Sequence, residues 1–569
     1  MMEYLKMVIN IRKFVFIFYF LTLVIYSCGS SPEVPHDNDE PVVRQFQGGI
    51  AEEIRTLTET GILSSMLDAL ELIRNRDISA TEFGRMMTGI NVLLIRLVYP
   101  DSVATLPMID LPLASNYSHI IREAQRGNYI SPASASVDFF EHILPFLAIN
   151  EQTGSNVLSN ALRDLNKAVS LQPSSVLPLY FTGLILEREG RYNEAEVAYR
   201  RAYNISNRCY PAQIGIGRIK RFTGNANEAI DVFSDLAIHF PDSNLIRREL
   251  AISYFVNRDW SRALSSVDEI LRMEPRDGDF LLLRASILIE QGLFSQANIS
   301  LDSYASINPN NRTYLFLRAR VQAEGNRNRD SALNYLRSIL RSSPNDVEAM
   351  TYASTLLMES SRPADQAEGR ELLERLRLTS GSSIDVLSLS LRDAIQRESW
   401  QEAMGFLNRI FTVRRTDQDL IDGYYIEHNL RNNTRAFNYA RELYERDNSN
   451  NEYTIIYISA LIDNGRRDEA SRLVESRLAS VSGGQVMSRY YFLRSRLQTN
   501  QDSALNDLRS SLFEDPRNLD AIISMFEIYH VRREERRAVH YLRQALAISP
   551  DHPRLRPYMR EYAPLLERN

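Results

Sequence analysis

Apolar residues along most of this chain return at helical spacing, in two short runs per unit, and the unit recurs about every thirty-four residues. The stretch LYFTGLILEREGRYNEAEVAYRRAYNISN, residues 179–207, shows the pattern. Leu179–Leu186 and Ala195–Tyr203 each place apolar side chains three and four apart, so each predicts a helix with one buried stripe. Gly190 lies between them, where a helix C-terminus favours a residue that tolerates positive φ. Gly224, Gly292 and Gly465 fill the same slot. An alanine marks the register: Ala161, Ala195, Ala229, Ala263 and Ala297 follow at steps of 34. Ala332, Ala367, Ala403, Ala436, Ala470, Ala504 and Ala538 continue at steps of 33 to 36. Pro241, Pro275, Pro309, Pro344, Pro516 and Pro550 each stand twelve residues after such an alanine. Tyr192, Trp260, Phe294 and Trp400 stand three before it, so both tryptophans of the chain read as packing residues. Gly183, Gly217, Ala251 and Ala285 stand twelve before it, where small residues let two helix backbones approach.

The unit from Val176 supplies Gly183, Gly190, Tyr192, Ala195 and Ala202, with Asn207 where a proline is usual. This pattern resembles the tetratricopeptide repeat family. The resemblance covers about residues 137–550 and weakens over 346–449. It implies an all-α, right-handed α-solenoid of about twelve helix pairs. The twenty-seventh position departs from the family, with Leu236, Ile270 and Tyr304 where alanine is preferred.

Residues 44–136 leave the register but still read as helices over 51–74, 80–97 and 114–126, either a cap of degenerate repeats or a small domain. Residues 551–569 predict a capping helix that covers the last repeat. At the other end, Lys6, Arg12 and Lys13 precede a short apolar run, Phe14–Tyr26, and then Ser27 and Cys28. Such a run is short for a bilayer span and fits an export signal. Ile25-Tyr26-Ser27-Cys28 resembles a bacterial lipobox, although Ile25 and Tyr26 depart from its preferred residues. The resemblance implies a signal peptide over 1–27, lipidation at Cys28 and a tether over 28–43 whose polar, acidic composition is that of a disordered segment. Cys209 is then left without a partner in the chain and reads as a small buried apolar group.

Composition narrows the function classes. A net charge of −6 argues against general nucleic-acid binding. Lysine is confined to Lys6, Lys13, Lys167 and Lys220, so nearly all cationic side chains are arginines, which suit bidentate contacts to carboxylates. No HExxH, P-loop or GxSxG spacing is present. Gly215-Ile216-Gly217 is a fragment of a dinucleotide motif, but Gly217 already serves as a helix-contact residue. These readings point to a non-catalytic protein without a cofactor or metal.

In the family that the repeats resemble, the second, fifth, ninth, twelfth and thirteenth positions of each first helix line the concave face. Carried onto this chain, they include Tyr180, Arg188, Arg218, Arg221, Phe222, Arg248 and Phe255, an arginine–aromatic patch suited to an acidic or carboxylate-ended partner. Arg489 and Arg496 near His530 form a second candidate. The leading expectation is a lipid-anchored envelope scaffold for proteins or peptides, on the periplasmic side of its membrane. Alternatives are an accessory factor for envelope assembly or solute transport, and a glycan- or small-ligand-binding protein with its site in residues 44–136, which a deep polar pocket lined by Tyr99, Asp110 and His119 would favour.

Overall fold

The computed structural model describes residues 48–79, 82–105, 139–140, 142–143, 146 and 153–566. The segments expected to hold the signal peptide, the lipidated Cys28, the tether and a helix over 114–126 lie outside the described residues. Every regular element among the described residues is helical. The chain divides into two compact units, residues 1–342 and 343–569.

The first unit opens with α1 (Gly48–Thr60), α2 (Leu63–Asn75), α3 (Glu82–Val98) and a 3-10 turn (Pro100–Thr105). The single helix expected over 51–74 is therefore two. Gly61, at φ +70°, separates them, and a Cβ there would lie 2.3 Å from the Leu177 side chain. The backbone N–H of Val176 donates to the Thr60 carbonyl beside this break. α4 (Ser155–Leu171) follows, then the pairs α5 (Leu177–Arg188) with α6 (Tyr192–Ile205) and α7 (Tyr210–Phe222) with α8 (Ala226–His239). Next come α9 (Asn244–Val256) with α10 (Trp260–Met273), and α11 (Gly278–Glu290) with α12 (Phe294–Ala305). α13 (Arg312–Arg320), extended by a π turn (Val321–Gly325), pairs with α14 (Arg329–Ser342). The second unit continues the alternation: α15 (Val347–Met358) with α16 (Pro363–Ser380), α17 (Ile384–Gln396) with α18 (Trp400–Phe411) and α19 (Asp417–Asn429) with α20 (Asn433–Arg446). It ends with α21 (Asn451–Asp463) and α22 (Arg467–Leu478), α23 (Gly484–Leu497) and α24 (Gln501–Glu514), α25 (Leu519–Val531) and α26 (Glu535–Ile548), and a final α27 (Arg556–Leu566). Within each unit successive helices pack in chain order, the arrangement of an α-solenoid.

The register alanines explain why the helices pair. Ala195, Ala229, Ala263, Ala297, Ala332, Ala403, Ala470 and Ala538 are fully buried. The small residues of the first helices meet large rings from the second. A Cβ on either Gly183 or Gly215 would lie 2.5 Å from the Tyr199 ring, so Tyr199 is seated against the glycines of two successive first helices. Gly217 makes the same close approach to Phe233.

Two units break the spacing. Ala319 and Ala332 are separated by thirteen residues where the preceding pairs have twelve, and the π turn between them absorbs the added residue. Further on, Ala367 is exposed, contrary to the expected register. Gly369 takes the contact instead, with a Cβ position 2.9 Å from Met358 Cγ and 3.1 Å from the Met358 backbone nitrogen. Ser354 Oγ donates to the Gly369 carbonyl at 2.6 Å. From Gly369 to Ala403 the step is again 34.

Caps close the units. Ser243, Asp277, Asn311, Asp346 and Asn518 each accept a backbone N–H at the start of a first helix. Each stands two residues after one of the periodic prolines. α27 packs on the last pair through Tyr558, Tyr562 and Leu565.

Candidate functional site

The arginine–aromatic patch expected in the first unit is brought together in part, but not as an accessible cationic groove. Arg221 is 2% exposed. Its guanidinium donates to Glu249 Oε2 at 2.9 Å, to the Glu249 carbonyl at 3.2 Å and to Ser253 Oγ at 3.1 Å. Arg218 Nε reaches the other oxygen of the same carboxylate at 3.1 Å. Burial first, and Arg218 second, pull the Arg221 pKa down to about 9, still above neutral pH. One buried carboxylate thus holds two arginines, which explains why the pair tolerates its position. Arg248 binds Glu274 and Asp277, and its guanidinium lies 4.8 Å from the Phe280 ring centroid. Arg188 donates to the Thr153 carbonyl at 2.9 Å.

The aromatic members pack inward. Tyr180 and Phe255 are buried. Phe222 stacks on Tyr192 at 5.4 Å, and Phe255 meets Trp260 edge-on at 5.6 Å. The expectation of an open surface is corrected for Tyr180, Arg221 and Phe255, which neighbouring helices bury, while Arg188 stays exposed. Carboxylates compensate Arg218, Arg221 and Arg248.

The chain's own N-terminal segment adds to this closure. Tyr99 is fully buried, donates to the Gly61 carbonyl at 3.0 Å and meets Tyr210 edge-on at 5.3 Å. Asp101 accepts from Ser243 Oγ and, at 3.4 Å, from the Leu245 N–H at the start of α9. Tyr99 is thus a packing residue, while Asp110 and His119 lie outside the described residues. Cys209 is buried as expected, and burial pushes its thiol up to about 11, away from thiolate chemistry at neutral pH.

The second candidate separates. Arg496 binds Asp463 at 2.6 Å, and the far oxygen of Asp463 lies 3.2 Å from His428. Arg489 grips Glu452 with both terminal nitrogens. His530 turns to the C-terminal cap, with Nδ1 2.7 Å from Tyr562 Oη. The sequence reading missed Tyr425, Glu452, Asp463 and Asp520. The same register locates them, at the ninth, second, thirteenth and second positions of α19, α21, α21 and α25. An arginine search passes over them because three are carboxylates.

Comparison with known proteins bears on the repeats. Two tetratricopeptide repeat models match, over residues 179–209 and 248–312. Anaphase-promoting complex subunit 3 of Schizosaccharomyces pombe is 22% identical over 163 residues, 29% of this chain and 24% of that protein. The chain therefore spans about a quarter of the length of that relative. Among solved structures, the Cut9–Hcn1 tetramer aligns over 88% of this chain and 93% of that chain, with 12% identity and a TM-score of 0.42. PilF of Pseudomonas aeruginosa aligns over 39% of this chain and 99% of its own, with 18% identity and a TM-score of 0.33. YrrB, described as a tetratricopeptide protein with an unusual peptide-binding site, aligns over 33% and 96%, with 17% identity and a TM-score of 0.27. The chain carries tetratricopeptide repeats, within an all-helical solenoid.

Proposed function

We propose that this protein is a non-catalytic scaffold that gathers partner proteins or peptides on the inner faces of its stacked helices. A lipid on Cys28 holds it at a membrane of the bacterial envelope, with the repeats on the periplasmic side. The observation that carries the reading is the repeat register itself. Within each compact unit it sets the same first-helix positions side by side from pair to pair, which favours an extended surface over a closed pocket. The negative net charge fits partners other than nucleic acid.

The anchor is tested by Cys28→Ala. Acyl chains contribute about 0.8 kcal/mol per buried methylene, and one chain alone binds only reversibly, so attachment depends on the modified cysteine. Fractionation of cells carrying the variant should move the protein from membranes to the soluble fraction or stop its processing. Unchanged membrane attachment with normal processing would remove the lipid from the account. Crosslinking in intact envelopes, followed by recovery of the chain, should yield protein adducts; recovery of the chain alone would remove the scaffold.

A further inference from the structure

Thr60, Tyr99 and Asp101 meet the starts of three successive repeats. Val176, at the start of the first, donates its N–H to the Thr60 carbonyl at 3.1 Å. Tyr210, at the start of the second, receives the Tyr99 ring edge-on at 5.3 Å. At the third, Ser243 Oγ and the Leu245 N–H both donate to the Asp101 carboxylate. Val176, Tyr210 and Asn244 follow at steps of 34, so the chain's own N-terminal segment runs across the repeats as a bound segment would.

The two ends of this contact differ. Tyr99 is fully buried and donates to the Gly61 carbonyl at 3.0 Å, which fixes it to the core. Asp101 is exposed, and the hydrogen bonds from Ser243 and Leu245 hold it on α9. Such water-facing contacts open more readily than a core does. The rings beneath form a row: Tyr99 meets Tyr210, and Tyr210 lies 4.4 Å from Phe240, which is 37% exposed. The Ser243 N–H donates to the Phe240 carbonyl at 3.1 Å, so one tight turn carries both the exposed ring and the hydroxyl. The guanidiniums on the first turn of α9 are committed elsewhere, Arg247 to the Pro241 carbonyl and Arg248 to Glu274 and Asp277. A hydroxyl and a backbone N–H, and neither of these arginines, receive the carboxylate.

We propose that Asp101 is a built-in competitor at a partner site formed by Phe240, Ser243 and the Leu245 N–H. The partner is an extended segment that places an acidic residue beside an apolar one, its carboxylate on Ser243 and Leu245 and its apolar side chain on the Phe240 ring. Asp101 shows the acid that fits, and it leaves while Tyr99 stays as the floor of the ring row. A tethered competitor acts at an effective concentration on the order of millimolar, so the partner's apparent affinity falls as the fraction of chains with Asp101 seated rises. The proposal rests on the scaffold reading and gives the first unit's partner a chemistry, a place and a gate.

The test uses the full chain and a fluorescein-labelled peptide that copies residues 97–103, Leu-Val-Tyr-Pro-Asp-Ser-Val, beside the same peptide with asparagine in place of its aspartate. The parent chain should bind the aspartate peptide weakly. Asp101→Ala removes the competitor and leaves the receiving groups in place, so it should bind that peptide about tenfold more tightly, the scale of one lost hydrogen bond to a charged group. Adding Ser243→Ala or Phe240→Ala to Asp101→Ala should cancel the gain, and the asparagine peptide should bind less well throughout. Hydrogen exchange at the Ser102 amide, which donates to the Tyr99 carbonyl, should quicken in Asp101→Ala. Circular dichroism and a single thermal transition establish that each variant stays folded. Equal binding by the parent chain and Asp101→Ala, a gain that survives both added substitutions, equal binding of the asparagine peptide, or no binding by any chain overturns the proposal. Crosslinking in cells that produce the parent chain reads the scaffold separately: protein adducts without the peptide effect leave the scaffold standing and remove this site, whereas no adducts remove the scaffold.

Discussion

At the scale of single residues, burial decides what each arginine does. Arg221 and Glu249 are 2% and 1% exposed, and removing the Arg221 charge leaves the buried carboxylate with Arg218 but takes away the hydrogen bonds that the guanidinium gives to Glu249 and Ser253. Arg221→Gln should therefore lower stability by about 1–3 kcal/mol in denaturant melts. A loss within the ±0.5 kcal/mol range of ordinary surface substitutions would show that the pair is solvated. Asp279, at the second position of α11, carries a different signature. Burial, then Asp277, raise its carboxyl to about 7, with Arg248 acting against them. Its folded pKa lies above its unfolded value, so the folded state holds the extra proton between about pH 4 and 7. The contribution is full below that window and is lost as pH rises through it. Asp279→Asn should flatten this decline and stabilise the chain at pH 8 relative to pH 4, by on the order of 1–2 kcal/mol after allowance for partial solvent screening. Parallel stability–pH curves for parent and variant would contradict the assignment.

At the scale of helices and turns, one slot governs the pairs. Five residues before the register alanine the backbone adopts positive φ: Gly190, Gly224, Gly292 and Gly465 do so, and so do Arg258, Arg327, Glu398, Arg431 and Arg533. Apart from Arg327, where the π turn shifts the pattern, the same hydrogen bonds close the turn whichever residue occupies it. Gly190 N–H donates to the Glu187 carbonyl and Arg191 N–H to Leu186, just as Arg533 donates to His530 and Glu534 to Tyr529. A side chain in this conformation costs roughly 1–2 kcal/mol that glycine avoids. Arg431→Gly and Arg533→Gly should raise the melting temperature, by about 1 kcal/mol of stability each, while Gly224→Ala should lower it. Open space surrounds the Gly224 Cβ position, so the loss would come from φ alone. No difference between the Arg→Gly and Gly→Ala pairs would dissociate φ from stability at this slot.

The glycine slot, the packing aromatics and most register alanines were legible in the sequence because each is a local requirement repeated in time. The shift from Ala367 to Gly369 was not, since it depends on extra residues in the turn before α16 that alter which small residue faces Ser354. The openness of the inner positions was hidden for a similar reason. A repeat position names a face, but burial there depends on what lies across it: Tyr99 against Tyr210, Glu249 between two arginines. The proline-plus-two caps were present in the sequence as a regular signal, readable from Pro275–Asp277 and Pro344–Asp346.

At the scale of the whole molecule, both compact helical units mix buried and exposed inner positions. Tyr180 and Ile214 in the first and Ile455 and Ile523 in the second are buried, while Arg188 in the first and Tyr425 in the second are exposed. The proposed scaffold takes partners on exposed first-helix positions and not on second helices, although those also expose large apolar residues, Leu378 on α16 and Phe513 on α24. The most direct measurement is site-specific photocrosslinking in cells that produce the protein, with a photoreactive residue placed at Tyr425, Leu378 or Phe513 in turn. The account predicts protein adducts from Tyr425 and few or none from Leu378 and Phe513. Adducts from the second-helix positions with none from Tyr425 would contradict it.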